Sequence, residues 1–360
     1  MIEFDVEGKY PEKILNINEV ADVEYLTLRT DNDYLFDYIK SVGDKFVVCV
    51  NSVESNVLFF SRETGEPVSK VSRYGNGPGE YNLIALVTYS EEKDELFIFG
   101  YNTMKVYGRD GTFKRELTSF REKSYPSDME ALYDFDAENL LFSDAFHGSI
   151  NDYPTQLILI SKEDGHTTED IMIPRKEKVN LWLSPDNGAP MGVPPGQYFA
   201  VRNGEEFLLT DYSADTVYRY TPEHKLIPVL VRKPSIYDKD QKTVLHSWLE
   251  TGKYLFFSTE KVEFDWNTMT GFPKTGYMME RNSGKFYQTN IRMDDYEGKE
   301  IILDPSVLSK TSDSHTGAII LPASELFEAD DNKKLSGKLK QAVGKVYEED
   351  EFVIMLLKFR

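Results

Sequence analysis

A self-similar unit of short apolar strands recurs along most of this 360-residue chain. Each copy begins with a charged residue or glycine, followed by an apolar strand, a polar loop, a second strand, a turn and a third strand. The copies begin at Asp44, Asp94, Glu138, Glu205 and Gly252, so successive steps are 50, 44, 67 and 47 residues. A step near 45 residues is typical of a four-stranded propeller blade.

A sixth, degenerate copy combines the apolar runs at 317–322 and 352–359. In several copies a fourth strand precedes the first apolar run, at 83–89, 129–135 and 244–250. The sequence therefore predicts an all-β fold, a six-bladed β-propeller with four-stranded antiparallel blades. It is expected to form a single domain over residues 1–360.

The two ends of the chain each contain a strand without a local partner. Residues 1–20 are predicted to be an N-terminal extension, and residues 21–28 then alternate between polar and apolar side chains. The run at 352–357 is wholly apolar and has no hairpin mate. Pairing of these two strands would close the propeller and hide two sheet edges that otherwise promote aggregation.

Two segments interrupt the repeat. Residues 175–197 are rich in proline and glycine and fall within the longest step, so they are predicted to be a loop inserted over one face. Residues 332–346 carry apolar side chains at helical spacing, which predicts one short C-terminal helix within the last blade.

The most specific motif is the glycine-rich stretch from Arg73 to Tyr81, with the sequence RYGNGPGEY. Glycine permits positive φ angles and Pro78 stiffens the turn, so the stretch is predicted to be a structural loop between two blades. The alternative is a phosphate cradle, because backbone amides in glycine-rich loops bind anions. No Lys-Ser or Lys-Thr follows, and the context is strand to strand.

This motif resembles the blade-joining loop of NHL-type propellers. Together with the opening strand at 22–28 and the closing strand at 353–359, the chain is similar to the six-bladed, NHL-like or TolB-like propeller family of Bacteroides-type bacteria. The resemblance implies an exported protein, periplasmic or anchored in the outer membrane as a lipoprotein, in a family whose function is mostly unassigned. The N-terminus shows neither the signal segment nor the lipobox of that family.

Composition narrows the classes of partner. The formal net charge is −20 and no basic stripe is present, which disfavours nucleic acid and anionic membranes. The sequence contains no run of about 18 apolar residues, so no transmembrane segment is predicted. The single cysteine, Cys49, lies in an apolar strand and is expected to be a buried hydrophobe. The chain is expected to be a monomer.

No catalytic or metal-binding pattern stands out. The five histidines are scattered, and no zinc, calcium, Walker or nucleophile-elbow motif is present, so no metal site and no cofactor are predicted. The paired acids Asp134 with Asp136, and Asp294 with Asp295, are expected to face solvent or cap turns. Candidate ligand contacts are aromatic or basic residues near the predicted inner strands, namely Arg73, Tyr81, Tyr125, Trp182, Tyr198 and Trp248.

Two functions fit these observations. The first is a non-catalytic, extracytoplasmic binding or scaffold propeller that recognises a protein, peptide or glycan at one face of the central channel, where Trp and Tyr rings would stack on the ligand. The alternative is a calcium-dependent lactonase or esterase with its site in the channel, an analogy at the level of the fold.

Overall fold

The computed structural model describes residues 1–30, 33–100, 103–118, 129–144, 157–185, 192–196, 198–238, 240–304, 316–346 and 352–360. The chain divides into two compact units. Unit 1 comprises residues 1–23, 173–309 and 358–360, and unit 2 comprises residues 24–172 and 310–357.

Unit 2 contains three four-stranded antiparallel sheets, each with its strands in chain order. This meander is the predicted unit of a propeller blade. Its strands are β4 (Tyr38–Val42), β5 (Phe46–Asn51), β6 (Asn56–Ser61) and β7 (Pro67–Val71); β8 (Leu86–Ser90), β9 (Glu95–Phe99), β10 (Met104–Tyr107) and β11 (Phe113–Leu117); and β12 (Met129–Asp134), β13 (Asn139–Asp144), β14 (Leu157–Ser161) and β15 (Thr167–Ile171).

A further sheet joins the two ends of the chain. Its order is β28 (Thr316–Pro322), β29 (Phe352–Phe359) and β3 (Ala21–Thr27). The predicted pairing of the N-terminal and C-terminal strands is therefore confirmed. Two helices follow β28, α2 (Ala323–Asp331) and α3 (Gly337–Val343), while α1 (Ile17–Val20) is a single turn before β3.

Unit 1 contains a five-stranded sheet, a four-stranded sheet, a three-stranded sheet and a two-stranded hairpin. The five-stranded sheet has the order β1-β19-β18-β17-β16, the four-stranded sheet β20-β21-β24-β25, the three-stranded sheet β2-β26-β27, and the hairpin β22-β23. Their bounds are β1 (Ile2–Asp5), β2 (Leu15–Asn16), β16 (Ala200–Asn203), β17 (Glu206–Leu209), β18 (Thr216–Tyr220), β19 (Leu226–Lys233), β20 (Thr243–Glu250), β21 (Tyr254–Lys261), β22 (Phe264–Asp265), β23 (Thr270–Gly271), β24 (Lys274–Glu280), β25 (Lys285–Gln288), β26 (Ile291–Arg292) and β27 (Glu300–Ile301).

The predicted N-terminal extension is an ordered strap along three sheets of unit 1. β1 pairs in parallel with β19, Glu12 forms a parallel bridge with Gln288 at the end of β25, and β2 pairs in parallel with β26. Residues 2–16, here called the N-terminal strap, therefore supply backbone partners to the outer edges of these sheets. An edge covered in this way is no longer a template for another chain.

Two predicted counts need correction. The described residues form seven sheets of three or more strands, so six blades are not confirmed. The additional sheet is β2-β26-β27, whose strands are two residues long and give no recognisable period. The helix predicted within 332–346 is present as the shorter α3, but α2 before it was not predicted, so two helices stand where one was expected. Lys333 lies between α2 and α3 with a positive φ, which interrupts a continuous helix.

The core explains why the sequence forms these strands. Every residue of β9 is buried, as are the first five of β6, because the middle strands of each sheet are covered on both faces. In unit 2, T-shaped pairs such as Phe59 on β6 with Tyr89 on β8 fill the space between neighbouring sheets. Cys49 is fully buried as predicted, and burial raises the pKa of its thiol. No helix in the described segments is both long and apolar enough to span a bilayer.

Candidate functional site

The predicted contact residues lie in different parts of the chain. Arg73 and Tyr81 belong to the glycine-rich loop of unit 2, whereas Trp182 lies in the inserted loop of unit 1 and Tyr198 directly follows that loop. Trp248 lies on β20, but its side chain is not among those described, and Tyr125 falls outside the described residues. The candidate residues whose side chains are described therefore lie in two places, one in each unit.

The glycine-rich loop is organised by its own side chains. Glu80 Oε2 accepts a hydrogen bond from the Gly77 amide at 2.8 Å, and a Cβ placed on Gly75 would lie 2.0 Å from the same oxygen. Tyr81 is buried, and its hydroxyl donates to the Ser55 carbonyl at 2.6 Å. A carboxylate in this position repels a phosphate, so the geometry supports the structural loop and not the phosphate cradle.

In unit 1, three neighbouring strands place polar side chains on one face of a sheet. Glu260 on β21 pairs in register with Lys274 on β24, and His246 on β20 pairs with Ser258, two residues before Glu260. Opposed residues, and residues two apart on one strand, point to the same side of a sheet. The register therefore brings an imidazole, a carboxylate and an ammonium together.

The centre of this arrangement is a buried histidine–glutamate pair. His246 Nε2 lies 3.1 Å from Glu260 Oε2, and the two side chains are only 1% and 2% exposed. The second carboxylate oxygen, Oε1, accepts a hydrogen bond from the Gly196 amide at 3.0 Å. A carboxylate this deeply buried requires such partners, because an unpaired buried charge is costly.

Lys274 links the buried pair to the surface. Its Nζ atom lies 3.9 Å from Glu260 Oε2, 3.3 Å from Asp304 Oδ2 and 5.4 Å from the centroid of the Tyr198 ring. Burial alone would lower the pKa of Lys274, but the charge of Asp304 and the contacts with Tyr198 and Glu260 outweigh it and raise that pKa. The side chain is therefore an ammonium at neutral pH and is still 26% exposed.

Two aromatic side chains cover the pair, one directly after the inserted loop and one between β17 and β18. The Tyr198 ring meets the His246 ring edge-on with centroids 5.6 Å apart, and the Tyr212 ring does so at 6.0 Å. The Tyr212 hydroxyl donates to the carbonyl of Gly196, the residue whose amide contacts Glu260. Residues Tyr198, His246, Glu260, Lys274 and Asp304 are hereafter called the unit 1 cluster.

Two insertions into the repeat meet at this cluster. Within the inserted loop, Leu183 and Val193 form an isolated β-bridge. The loop contacts Glu260 through the Gly196 amide. The hairpin β22-β23 lies between β21 and β24, so its two ends begin next to the paired residues Glu260 and Lys274. Loops added to a rigid scaffold are where binding sites concentrate. The unit 1 cluster is therefore the candidate functional site.

Sequence reasoning found Tyr198 but missed His246, Glu260, Lys274 and Asp304. A weak signal was present, because His246 and Glu260 are ionisable residues on strands that also carry apolar runs. The sequence does not reveal the strand register that makes these residues neighbours. Among the described residues, no group of three or more His, Cys, Asp or Glu side chains could hold a metal ion.

Comparisons with known proteins place the chain among propellers. The model of a family described as Domain of unknown function (DUF4934) matches residues 1–358. A candidate exported protein from Bacteroides fragilis superposes with a TM-score of 0.65 at 14% identity, covering 100% of this chain and 99% of the other. A DUF4221 family member from Bacteroides vulgatus gives 0.55 at 10% identity, covering 95% and 98%.

At these identities the likeness shows the fold alone, an all-β propeller with mainly antiparallel four-stranded blades. No curated protein sequence matches the chain.

Proposed function

Because the chain belongs to the DUF4934 family, a family of unknown function, we propose its role from the site itself. It is a non-catalytic binding or scaffold propeller that recognises a protein, peptide or glycan at the unit 1 cluster. The expected setting is extracytoplasmic, in the periplasm or anchored at the outer membrane as a lipoprotein. The similarity to a candidate exported protein of Bacteroides fragilis supports this location. We further propose that residues 1–360 act as a single, monomeric propeller domain.

One observation carries the proposal: the exposed end of the unit 1 cluster combines a charged donor, a charged acceptor and an aromatic ring. Lys274 and Asp304 are partly exposed, and the Tyr198 ring lies beside them. Binding sites place a few polar groups among aromatic surface in this manner. Beneath them, the buried His246–Glu260 pair fixes the position of Lys274 and of the loop that carries Tyr198, so the site is organised before a ligand arrives.

Two substitutions test this site. In a screen of immobilised glycans and peptides, Tyr198→Ala and Lys274→Met are each expected to weaken the best ligand at least tenfold. Such a loss corresponds to about 1.4 kcal/mol and is ordinary for a central contact residue. The matched control is Lys299→Met, because Lys299 also lies over a tyrosine ring of unit 1, 5.7 Å from the centroid of Tyr296. It should bind like the wild type.

The outcomes are separable. Equal binding by the wild type, Tyr198→Ala and Lys274→Met would remove the unit 1 cluster as the site. Absence of any ligand across both arrays would count against a binding propeller altogether. A melting temperature that rises on addition of calcium would instead favour the alternative function, a calcium-dependent lactonase or esterase.

A further inference from the structure

The hairpin beside the unit 1 cluster points to the class of ligand. We infer that the site binds a neutral carbohydrate, with a sugar ring stacked on the aromatic side chains of this hairpin while its hydroxyl groups reach Lys274 and Asp304. The inference rests on the proposed function and narrows its three ligand classes to one. It concerns residues 262–273, here called the aromatic hairpin.

The aromatic hairpin holds aromatic rings that do not enter the main core of the unit. The ring centroids of Phe264 and Trp266 are 4.7 Å apart, and those of Phe264 and Phe272 are 5.7 Å apart. All three side chains are half-buried, so they pack on one another and still present surface. Because these rings are tilted by 59° and 46° to one another, the apolar face of a single ring such as Trp266 is the surface that matches the C–H face of a pyranose ring.

The hairpin also carries backbone strain at bulky residues. Met269 has φ 55° and Phe272 has φ 54°, both in the left-handed region that favours glycine. Met269 is in addition 58% exposed, which is unfavourable for a large apolar side chain. Strain of this kind persists where the position of a side chain is used in function. Here the two strained residues lie directly before and after β23.

The base of the hairpin is anchored next to the charged pair. The Val262 amide donates to the Lys242 carbonyl at 3.0 Å, and the Lys261 amide donates to the Pro273 carbonyl at 3.1 Å. Lys274 follows directly and contacts Asp304. Phe272 lies two residues before Lys274 in the chain, so aromatic surface and a donor–acceptor pair adjoin at the base of the hairpin. Such an arrangement suits a ligand that is apolar on one face and polar around its rim.

Charge selects among the ligand classes. The chain carries a net charge of −20, and the one ammonium of the unit 1 cluster is already opposed by two carboxylates, so a polyanionic glycan or acidic peptide is repelled. The net charge attracts cations, but the two carboxylates of the cluster are only 2% and 15% exposed and are already paired with Lys274, so a cationic ligand would have to displace that ammonium. A sugar hydroxyl both donates and accepts hydrogen bonds, so it satisfies Lys274 and Asp304 together without altering the charge balance.

The test uses the full chain and defined oligosaccharides. Titration calorimetry with cellohexaose, xylohexaose, mannohexaose, laminarihexaose and maltohexaose is expected to detect binding of at least one. Trp266→Ala should weaken that binding at least tenfold, and Trp266→Phe should retain most of it. Tyr74→Ala is the control, because Tyr74 is an exposed aromatic residue of unit 2. Melting curves of all variants establish that each is folded.

Comparison ligands separate this inference from the proposed function. Oligogalacturonate, a glucosamine hexamer and a lysine-rich peptide are titrated in parallel. If one of these binds in a manner that depends on Tyr198 and Lys274 while the neutral sugars do not, the carbohydrate inference is overturned and the proposed site stands. Neutral-sugar binding that is indifferent to Trp266→Ala also overturns it. If no probe binds, both are contradicted.

Discussion

Replacing Phe4 by alanine is expected to lower the free energy of unfolding by about 3–5 kcal/mol, the usual cost of deleting a buried phenylalanine ring. Phe4 belongs to the N-terminal strap and is fully buried. Its ring centroid lies 4.6 Å from that of Phe257 and 5.0 Å from that of Tyr277. The substitution removes this ring from between the strap and the sheet β20-β21-β24-β25, where Phe257 and Tyr277 lie.

Urea unfolding followed by circular dichroism measures this loss. Phe113→Ala provides the control, since Phe113 is 40% exposed and its removal is expected to cost no more than about 1 kcal/mol. A difference of less than 1 kcal/mol between the two variants would show that the strap is not part of the core of unit 1. Because the chain has two compact units, tryptophan fluorescence should be recorded alongside to detect stepwise unfolding.

The second large effect concerns Lys162 in unit 2. This lysine is 1% exposed, forms an ion pair with Asp134, and donates to the Asp136 carbonyl and to Ser90 Oγ. Lys162→Met is expected to cost about 3 kcal/mol, because breaking a buried pair by removing one partner leaves a charge without compensation. The lower end of the usual range is expected because Asp134 keeps 24% exposure.

An exposed ion pair of the same unit supplies the comparison. Arg29 and Glu66 lie 3.2 Å apart with both side chains more than half exposed, so Arg29→Met should cost less than about 1 kcal/mol. Adding Asp134→Asn to Lys162→Met should recover part of the lost stability by removing the orphaned charge. If Lys162→Met and Arg29→Met have equal effects in thermal and urea unfolding, the buried ion pair does not stabilise unit 2 as described.

Basic residues at the equivalent turn recur in other sheets. Arg62 donates to the Gly43 carbonyl at 2.9 Å, Arg109 lies 3.5 Å from Asp94, and Arg281 donates to the Thr251 carbonyl at 3.0 Å. In each case the cation after the third strand contacts the turn between the first and second strands. Lys162 is the most buried form of this repeated contact, which explains its larger expected effect.

The sequence predicted the features that depend on local periodicity. Alternation and turn residues located the strands of the main sheets, and the unpaired runs at the two ends predicted the β3–β29 pairing. The N-terminal strap was missed because β1 is a four-residue strand whose partner, β19, begins at Leu226. A parallel pairing across such a separation leaves no local pattern. The seventh sheet was missed for the same reason, since its strands contain two residues each.

The candidate site depends on register, which a single sequence does not reveal. Glu260 and Lys274 are adjacent because β21 and β24 are joined through the aromatic hairpin, and a shift of one residue would turn their side chains to opposite faces. Residue type alone predicted Tyr81 as a ligand contact, although Tyr81 is buried in the glycine-rich loop. Trp266, which lies on the aromatic hairpin, was not predicted.

Ligand binding at the unit 1 cluster can be tested by hydrogen–deuterium exchange of the full chain, with and without a saturating amount of the tightest-binding oligosaccharide or peptide. We expect slower amide exchange in residues 192–198 and 258–276 when the ligand is present, with little change at residues 73–81 of unit 2. Protection confined to unit 2, or unchanged exchange around Gly196 and Lys274 while the ligand is bound, would contradict it.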